Sequence, residues 1–231
     1  MRIIAEIGQN HNGDMTLASE LIKAAKRGGA DVAKFQVYSA KDLFPKDNNP
    51  WYEYNCKTEL SFEDLKTLKQ LCDREKIEFM ASVFDTERIT WLEKLNVSTY
   101  KIASRSINDE RLILNVIKTK KPILISLGMW NKKELPCFKG NIKYLYCISK
   151  YPTALEEINF SEIDFNKYYG FSDHSVGISA SIIALSRGAQ IVEKHFTLDK
   201  NMFGPDHSGS MTEDELKELS NFRDNLSLCL K

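Results

Sequence analysis

Strand-like and helix-like runs alternate along the whole chain. Apolar, β-branched or aromatic runs fall at Ile3–Ile7, Val32–Val37, Phe79–Phe84, Tyr100–Ala103, Ile123–Leu127, Tyr144–Ile148, Tyr168–Phe171 and Ile191–Phe196, and they predict eight strands. Between them, apolar residues recur at helical spacing. Examples are Leu17, Leu21, Ala24 and Ala25 before Gly28–Gly29, then Phe62, Leu65, Leu68, Leu71 and Cys72. Ile89, Leu92 and Leu95 form another face, as do Leu112, Val116 and Ile117, and also Ile178, Ile182, Ile183 and Leu185. The last helix is expected from about Glu213 to Leu228, with Thr212 and Glu215 as a capping box.

Eight βα units in 231 residues predict an α/β fold, a parallel (β/α)8 TIM barrel. The fifth unit is the weak one. Its connection holds Pro136 and Gly140, so a short or missing helix is expected there. An open doubly wound sheet is the alternative, but it needs no eighth strand and the chain has no GxGxxG. The segment Lys41–Ser61, with Pro45, Pro50, several asparagines (Asn48, Asn49, Asn55) and aromatics including Trp51, Tyr52 and Tyr54, reads as a long loop after the second strand.

Composition narrows the function classes. Lys+Arg and Asp+Glu both number 32, so bulk charge points to neither a nucleic-acid nor a membrane-surface partner. Five cysteines without a CxxC fit a reducing cytoplasm better than a disulfide framework or a cysteine zinc site. The N-terminal MRIIAEIGQNH lacks the shape of a signal peptide. A near-neutral surface makes self-association, for example a homodimer, a reasonable expectation.

In a barrel of this type the chemistry gathers at the C-terminal ends of the strands. Glu6, with Asn10 and His11 beyond it, closes the first strand; Lys34 and Gln36 share a face of the second; Ser82 ends the third. Lys101 and Ser104 belong to the fourth, Ser126 to the fifth, and Ser149 with Tyr151 to the sixth. Ser172 and His174 close the seventh, Glu193 and His195 the eighth. A lysine in an apolar strand is costly unless paired or working. Each serine alone is an ordinary turn residue, and each lysine alone could close an ion pair in the barrel. Two lysines with several hydroxyls together suggest a site for a multiply anionic ligand such as a phosphate.

His174 and His195 end neighbouring strands, with Asp173, Glu193 and Asp206 near in sequence. Two satisfied structural histidines would be the plain reading. Placed this way, however, two imidazoles can hold a divalent metal with coordination positions left open for a substrate.

The motifs GQNHNGD, KFQ, YKIAS, the YP of ISKYPT, GFSDHS, EKHFT and GPDHSGSM occur here in the order found in the sialic acid synthase family, and the chain resembles its catalytic barrel nearly end to end. That resemblance implies condensation of phosphoenolpyruvate with an open-chain N-acetylated aldose, giving a 2-keto-3-deoxy sugar acid and phosphate. It implies Mn2+, or Mg2+ or Co2+ in its place, on His174 and His195. It places phosphoenolpyruvate on Lys34, Ser82, Lys101, Ser104, Ser126 and Ser172. It surrounds the sugar and the reacting carbons with Glu6, Gln36, Tyr151, Glu193 and Asp206, and it assigns Glu6 to the attacking water.

The chain also departs from the family pattern. Members usually carry a C-terminal antifreeze-like domain that completes the partner's sugar site, whereas this sequence reads as a single catalytic barrel over residues 1–231. The acceptor site is therefore expected to be covered by the Lys41–Ser61 loop, whose aromatics and asparagines suit sugar contact, or to be completed by a second copy or a separate protein. The usual glutamate after the KIAS motif is Ser106, preceded by Arg105; the usual Thr-Pro of the third strand is Ser82-Val83; and Ser149 stands where an asparagine is usual. These departures point to an altered acceptor. Two further readings stand beside this one: a Schiff-base aldolase using Lys101 or Lys194, and a barrel kept as a non-catalytic subunit.

Overall fold

In the computed structural model, which describes residues 1–230, the eight predicted strands close into one parallel barrel in sequence order. They are β1 (Arg2–Gly8), β2 (Val32–Val37), β3 (Glu78–Val83), β4 (Tyr100–Ile102), β5 (Ile123–Ser126), β6 (Ile142–Cys147), β7 (Gly170–Asp173) and β8 (Ile191–His195). The helices are α1 (Met15–Arg27), α2 (Ala40–Leu43), α3 (Tyr52–Lys57), α4 (Phe62–Glu75), α5 (Thr86–Lys94), α6 (Glu110–Ile117), α7 (Ser179–Ser186) and α8 (Glu213–Cys229). None is long and apolar enough to cross a membrane.

Local chemistry sets the helix ends. The Asp14 carboxylate caps α1 by accepting from the backbone N–H groups of Thr16 and Leu17, and α8 begins with the reciprocal Thr212–Glu215 capping box. The fifth connection holds no helix, as its proline and glycine predict. The sixth lacks an α-helix too, which the sequence reading did not anticipate. Only the short 3-10 turns Leu155–Glu157 and Phe160–Glu162 occur there. Its buried anchors Ile158 and Ile163 are five positions apart, which does not fit one helical face.

The segment Lys41–Ser61 is not a plain loop: α2 runs into it from Ala40 and α3 lies within it. Tyr54 anchors α3 through its hydroxyl, which lies 2.9 Å from Gln9 O and 2.6 Å from Asn12 Oδ1. On α7, Ala180, Ala184 and Leu185 face the core while Ile183 is exposed, so the apolar face is narrower than the run of isoleucines suggests.

The main core lies between barrel and helices, and a second cluster fills the lower barrel interior with Ile4, Val32, Met80, Leu124, Leu145 and Ile191. Two residues further along, the same inward rows carry Glu6, Lys34, Ser82, Ser126, Cys147 and Glu193. The barrel is thus apolar at its floor and polar at its C-terminal mouth.

Candidate active site

Strand register assembles the mouth. Glu6 pairs with Lys34 on one side and His195 on the other; Gln36 pairs with Ser82, Ser82 with Lys101, and Ser172 with both Cys147 and Glu193. A cavity of about 400 Å³ opens there, lined by Glu6, Lys34, Gln36, Ser82, Lys101, Ser104, Ser126, Tyr151, Ser172, His174, Glu193 and His195. Those are all the residues that the family resemblance assigns to phosphoenolpyruvate, the sugar and the metal except Asp206, whereas Asn10, His11 and Ser149, also noted at strand ends, do not line it. Asp206 lines an adjoining cavity that shares Tyr151, His174 and His195 with the first.

Four charges sit at the base. Lys34 Nζ is 2.7 Å from Glu6 Oε2 and 3.6 Å from Glu193 Oε2. The Glu6 contact is ionic without hydrogen-bond alignment, so Oε2 has no hydrogen-bond donor. Lys101 Nζ is 3.5 Å from Glu193 Oε1. The lysines also donate to serines, Lys34 to Ser82 Oγ at 3.0 Å and Lys101 to Ser126 Oγ at 2.7 Å. Ser172 Oγ donates to Glu193 Oε1 at 3.1 Å, and Gln36 Nε2 to Glu6 Oε1 at 2.9 Å.

Burial would raise the pKa of Glu193, but Lys101 and Lys34 outweigh it and hold the carboxyl down at about 2. Burial opposes the charge on Lys34, yet Glu193 and Glu6 together leave its pKa raised. Lys101 is shifted the other way, because burial and the neighbouring Lys34 outweigh its attraction to Glu193. Both ion-pair and anion-site readings of the lysines are therefore compatible with the geometry. The carboxylates neutralise the lysines in the free protein, and the serines ring them.

The backbone makes room for this arrangement at Gly8, where β1 is bulged and φ is +55°. A Cβ at Gly8 would lie 3.2 Å from Gln36 Nε2, 3.3 Å from Glu6 Oε1 and 3.5 Å from His195 Cε1.

The two imidazoles face each other with ring centroids 6.2 Å apart. His174 Nδ1 lies 2.6 Å from Ile148 O. A carbonyl only accepts, so Nδ1 carries the proton and Nε2 keeps its lone pair, which meets the Tyr151 hydroxyl at 2.9 Å. His195 Nδ1 is buried without a hydrogen-bond partner and lies 3.8 Å from Asp206 Oδ2. An unpartnered ring nitrogen beside a second imidazole with a fixed tautomer suits a divalent metal. Among the described residues, no third His, Cys, Asp or Glu joins the pair in a closed ligand set. Asp173 and Glu193 are committed elsewhere, Glu193 to the lysines. Asp173 accepts from Ser175 Oγ and Ser181 Oγ and pairs with Lys194 at 3.2 Å.

Asn10 and His11, also at the end of β1, have structural roles. Asn10 Nδ2 donates to Phe196 O and Ser210 Oγ, tying β1 to the segment after β8. His11 is fully buried, and burial pushes its pKa down to about 4. Cys147 went unrecognised in the sequence. Its Sγ lies 3.4 Å from Ser104 Oγ and 3.8 Å from His174 Nδ1. The available signal was period two in β6, where Leu145 and Cys147 are buried and alternate with the half-buried Tyr144 and Tyr146.

Comparison with known proteins places this geometry. Residues 21–230 match the NeuB family model. The chain is 37% identical to the N,N'-diacetyllegionaminic acid synthase of Legionella pneumophila, across 94% of this chain and 69% of that protein. It is 33% identical to the human N-acetylneuraminate-9-phosphate synthase, across 94% and 67%. The crystal structure of the N-acetylneuraminic acid synthetase from Leptospira borgpetersenii, in complex with citrate, aligns with a TM-score of 0.90 at 30% identity, covering 99% of this chain and 84% of that one.

Proposed function

We propose, starting from the fact that this chain belongs to the NeuB family, that its barrel condenses phosphoenolpyruvate with an open-chain, N-acetylated aldose to form a nonulosonate-type 2-keto-3-deoxy acid and phosphate. The observation that carries the reading is one cavity holding two buried lysines, four serine hydroxyls and two facing imidazoles. Two relatives are synthases named for acids of this class, which supports the same reaction type here.

Phosphoenolpyruvate binds with its anionic groups on Lys34, Lys101, Ser82, Ser104, Ser126 and Ser172. Its oxygens take over donors that Glu6 and Glu193 hold in the free protein. C3 of the enol forms the new bond to the aldehyde carbon as the aldehyde π bond opens, and the aldehyde oxygen takes up one of the two protons of the water consumed, the other leaving with phosphate. Electron demand then falls on C2, and water adds there. Glu6 accepts the water proton once phosphoenolpyruvate has drawn Lys34 from its Oε2, 2.7 Å away in the free protein. The C2–O bond to phosphorus-bound oxygen breaks, phosphate leaves, and the 2-keto group forms. Lys34 and Lys101 stabilise the charge gathering on the leaving phosphate. His174 and His195 would hold a divalent ion, Mn2+ or in its place Mg2+ or Co2+, which when bound supplies Lewis acidity toward the aldehyde oxygen. Tyr151 and Asp206 flank the imidazoles and orient the sugar, and Gln36 steadies Glu6.

A Schiff-base aldolase is favoured by one observation, the lowered pKa of Lys101. Lys194 does not suit that role, because it is held by Asp173 and by the carbonyl of Ser175. The test is phosphate release from phosphoenolpyruvate across a panel of N-acetylated and plain aldoses with Mn2+. The expected result is aldose-dependent release that EDTA abolishes and Mn2+ restores. A lysine adduct trapped by borohydride, with no phosphate released, would replace this reading with the aldolase.

A further inference from the structure

The backbone ladder between β7 and β8 stops one residue short of both imidazoles. Its last pairing is Asp173 with Lys194, the residues just before His174 and His195. Alternation turns these two side chains away from the barrel interior, and both are buried. Lys194 Nζ lies 3.2 Å from Asp173 Oδ2 and donates to Ser175 O, so the ammonium carries the link between the strands past the end of the ladder. Asp173 Oδ1 accepts from Ser175 N at 2.8 Å and from Ser175 Oγ at 2.7 Å. The turn that carries His174 is therefore gripped on both sides: Asp173 takes the N–H of Ser175 and Lys194 takes its carbonyl. Asp173 Oδ2 also accepts from Ser181 Oγ at 2.6 Å, which extends the grip to α7.

Stability alone does not account for a buried pair here. Taking two charges out of water costs about as much as their attraction returns, and apolar side chains of similar volume often serve as well. Placement does account for it. The His174 ring is held by Ile148 O and the Tyr151 hydroxyl, but His195 Nδ1 has no hydrogen-bond partner, so that ring takes its position from the backbone of β8. With two protein ligands and no closed set around them, metal affinity depends on how the rings are spaced, and their centroids lie 6.2 Å apart. The pair is also neutral as a unit. A lone ammonium one residue from each imidazole would oppose a cation, and Asp173 cancels it.

Resting on the reading that His174 and His195 hold a divalent ion, we propose that Asp173 and Lys194 are positioning residues: they set the separation of the two imidazoles, and through it the affinity for the ion, without touching it.

The experiment measures Mn2+ binding to the intact chain by electron paramagnetic resonance of the free ion, with no substrate present. Denaturant unfolding and calorimetric phosphoenolpyruvate binding in EDTA run beside it. Charge alone would give the single variants opposite signs: Lys194→Met leaves an anion and should tighten Mn2+ binding, whereas Asp173→Asn leaves a cation and should weaken it. Placement gives them one sign. Both should weaken Mn2+ binding by about 10–100-fold, the range for residues that orient metal ligands, with phosphoenolpyruvate affinity little changed. Lys194→Arg should recover part of the loss. The apolar double variant, Asp173→Leu with Lys194→Met, should fold about as stably as wild type and still bind Mn2+ weakly. Ser181→Ala keeps both charges and should cost about 2–10-fold, the range of one hydrogen bond, so it decides the matter if the stronger variants fail to fold. Opposite signs, unchanged Mn2+ affinity, equal losses of Mn2+ and phosphoenolpyruvate affinity, or wild-type affinity in the double variant overturns the assignment and leaves the metal reading standing. A wild type that does not bind Mn2+ overturns the metal reading and the assignment with it. Weakened Mn2+ binding in the variants, beside a wild type that releases no phosphate from phosphoenolpyruvate, overturns the condensation and leaves the positioning role standing.

Discussion

Replacing Glu193 with Gln tests the charge balance of the site with almost no change in shape. The side chain is buried, 3.5 Å from Lys101 and 3.6 Å from Lys34, and it accepts from Ser172. A carboxyl held at about 2 instead of 4.5 gains about 3 kcal/mol from its surroundings at neutral pH, at about 1.4 kcal/mol per pH unit. Glu193→Gln should therefore lower unfolding free energy by about 3 kcal/mol at pH 7, in line with breaking a buried pair from one side. The sign of the pH dependence is set by the depressed pKa. The stabilisation is complete above the unfolded value near 4.5 and fades as pH falls toward 2, so the wild-type and variant curves should converge in that window.

The same substitution should act oppositely on anions. With Glu193 neutral, the two lysines face only Glu6, so inorganic phosphate and phosphoenolpyruvate should bind more tightly while turnover falls. Denaturant titration at pH 7, 4.5 and 3, with phosphate titrated by calorimetry, reads both effects. A stability loss under about 1 kcal/mol together with unchanged phosphate affinity would refute the view that Glu193 offsets the lysines until an anion arrives.

Lys34→Ala and Lys101→Ala should each cost about 2–4 kcal/mol in phosphoenolpyruvate affinity or turnover, measured as kcat/KM; near wild-type kinetics would make them purely structural ion pairs. Gly8→Ala places a Cβ at φ +55° against Gln36, Glu6 and His195. It should lose about 1–2 kcal/mol of stability from backbone strain and a larger share of activity, as read by paired denaturation and rate measurements. Because burial holds His11 near pKa 4 against 6.5 when unfolded, the unfolded chain binds the proton first as pH falls. Stability should thus drop by up to about 3 kcal/mol between pH 6.5 and 4, and His11→Gln should flatten that part of the curve. Trp51 lines a groove with Tyr54 and Phe203, while Tyr52 turns toward Lys46. Trp51→Ala should then raise acceptor KM with little change for phosphoenolpyruvate, and Tyr52→Ala should change neither.

The base of the site was legible because two simple periodicities coincide there. In β1, β2, β3, β5 and β8 the inward row runs from an apolar residue to a polar one two positions later: Ile4 to Glu6, Val32 to Lys34, Met80 to Ser82, Leu124 to Ser126, Ile191 to Glu193. A strand's alternation gives the face, and the barrel rule gives the end, so the lysines, serines and imidazoles could be brought to one mouth before any coordinate was known. What could not be read was how the charges divide. Glu193 and Asp173 both stood as neighbours of the imidazoles in sequence. Alternation along β7 and β8 instead sends Glu193 inward to Lys34 and Lys101, and sends Asp173 outward to Lys194 and Ser181.

The rim was the least legible part, because its contacts depend on loops meeting across strands instead of on a period. Nothing within YKIASRS indicates that Arg105 reaches Leu43 and Phe44, 62 residues away for the hydrogen bond. Nothing in the segment after β2 indicates that Trp51 and Tyr54 meet Phe203 from the segment after β8. The division has a chemical counterpart. The strand-borne base, with fixed lysines and carboxylates, suits a ligand whose charge is constant. The rim is built from side chains on connections that can change without disturbing the barrel, and it is there that an acceptor would be distinguished.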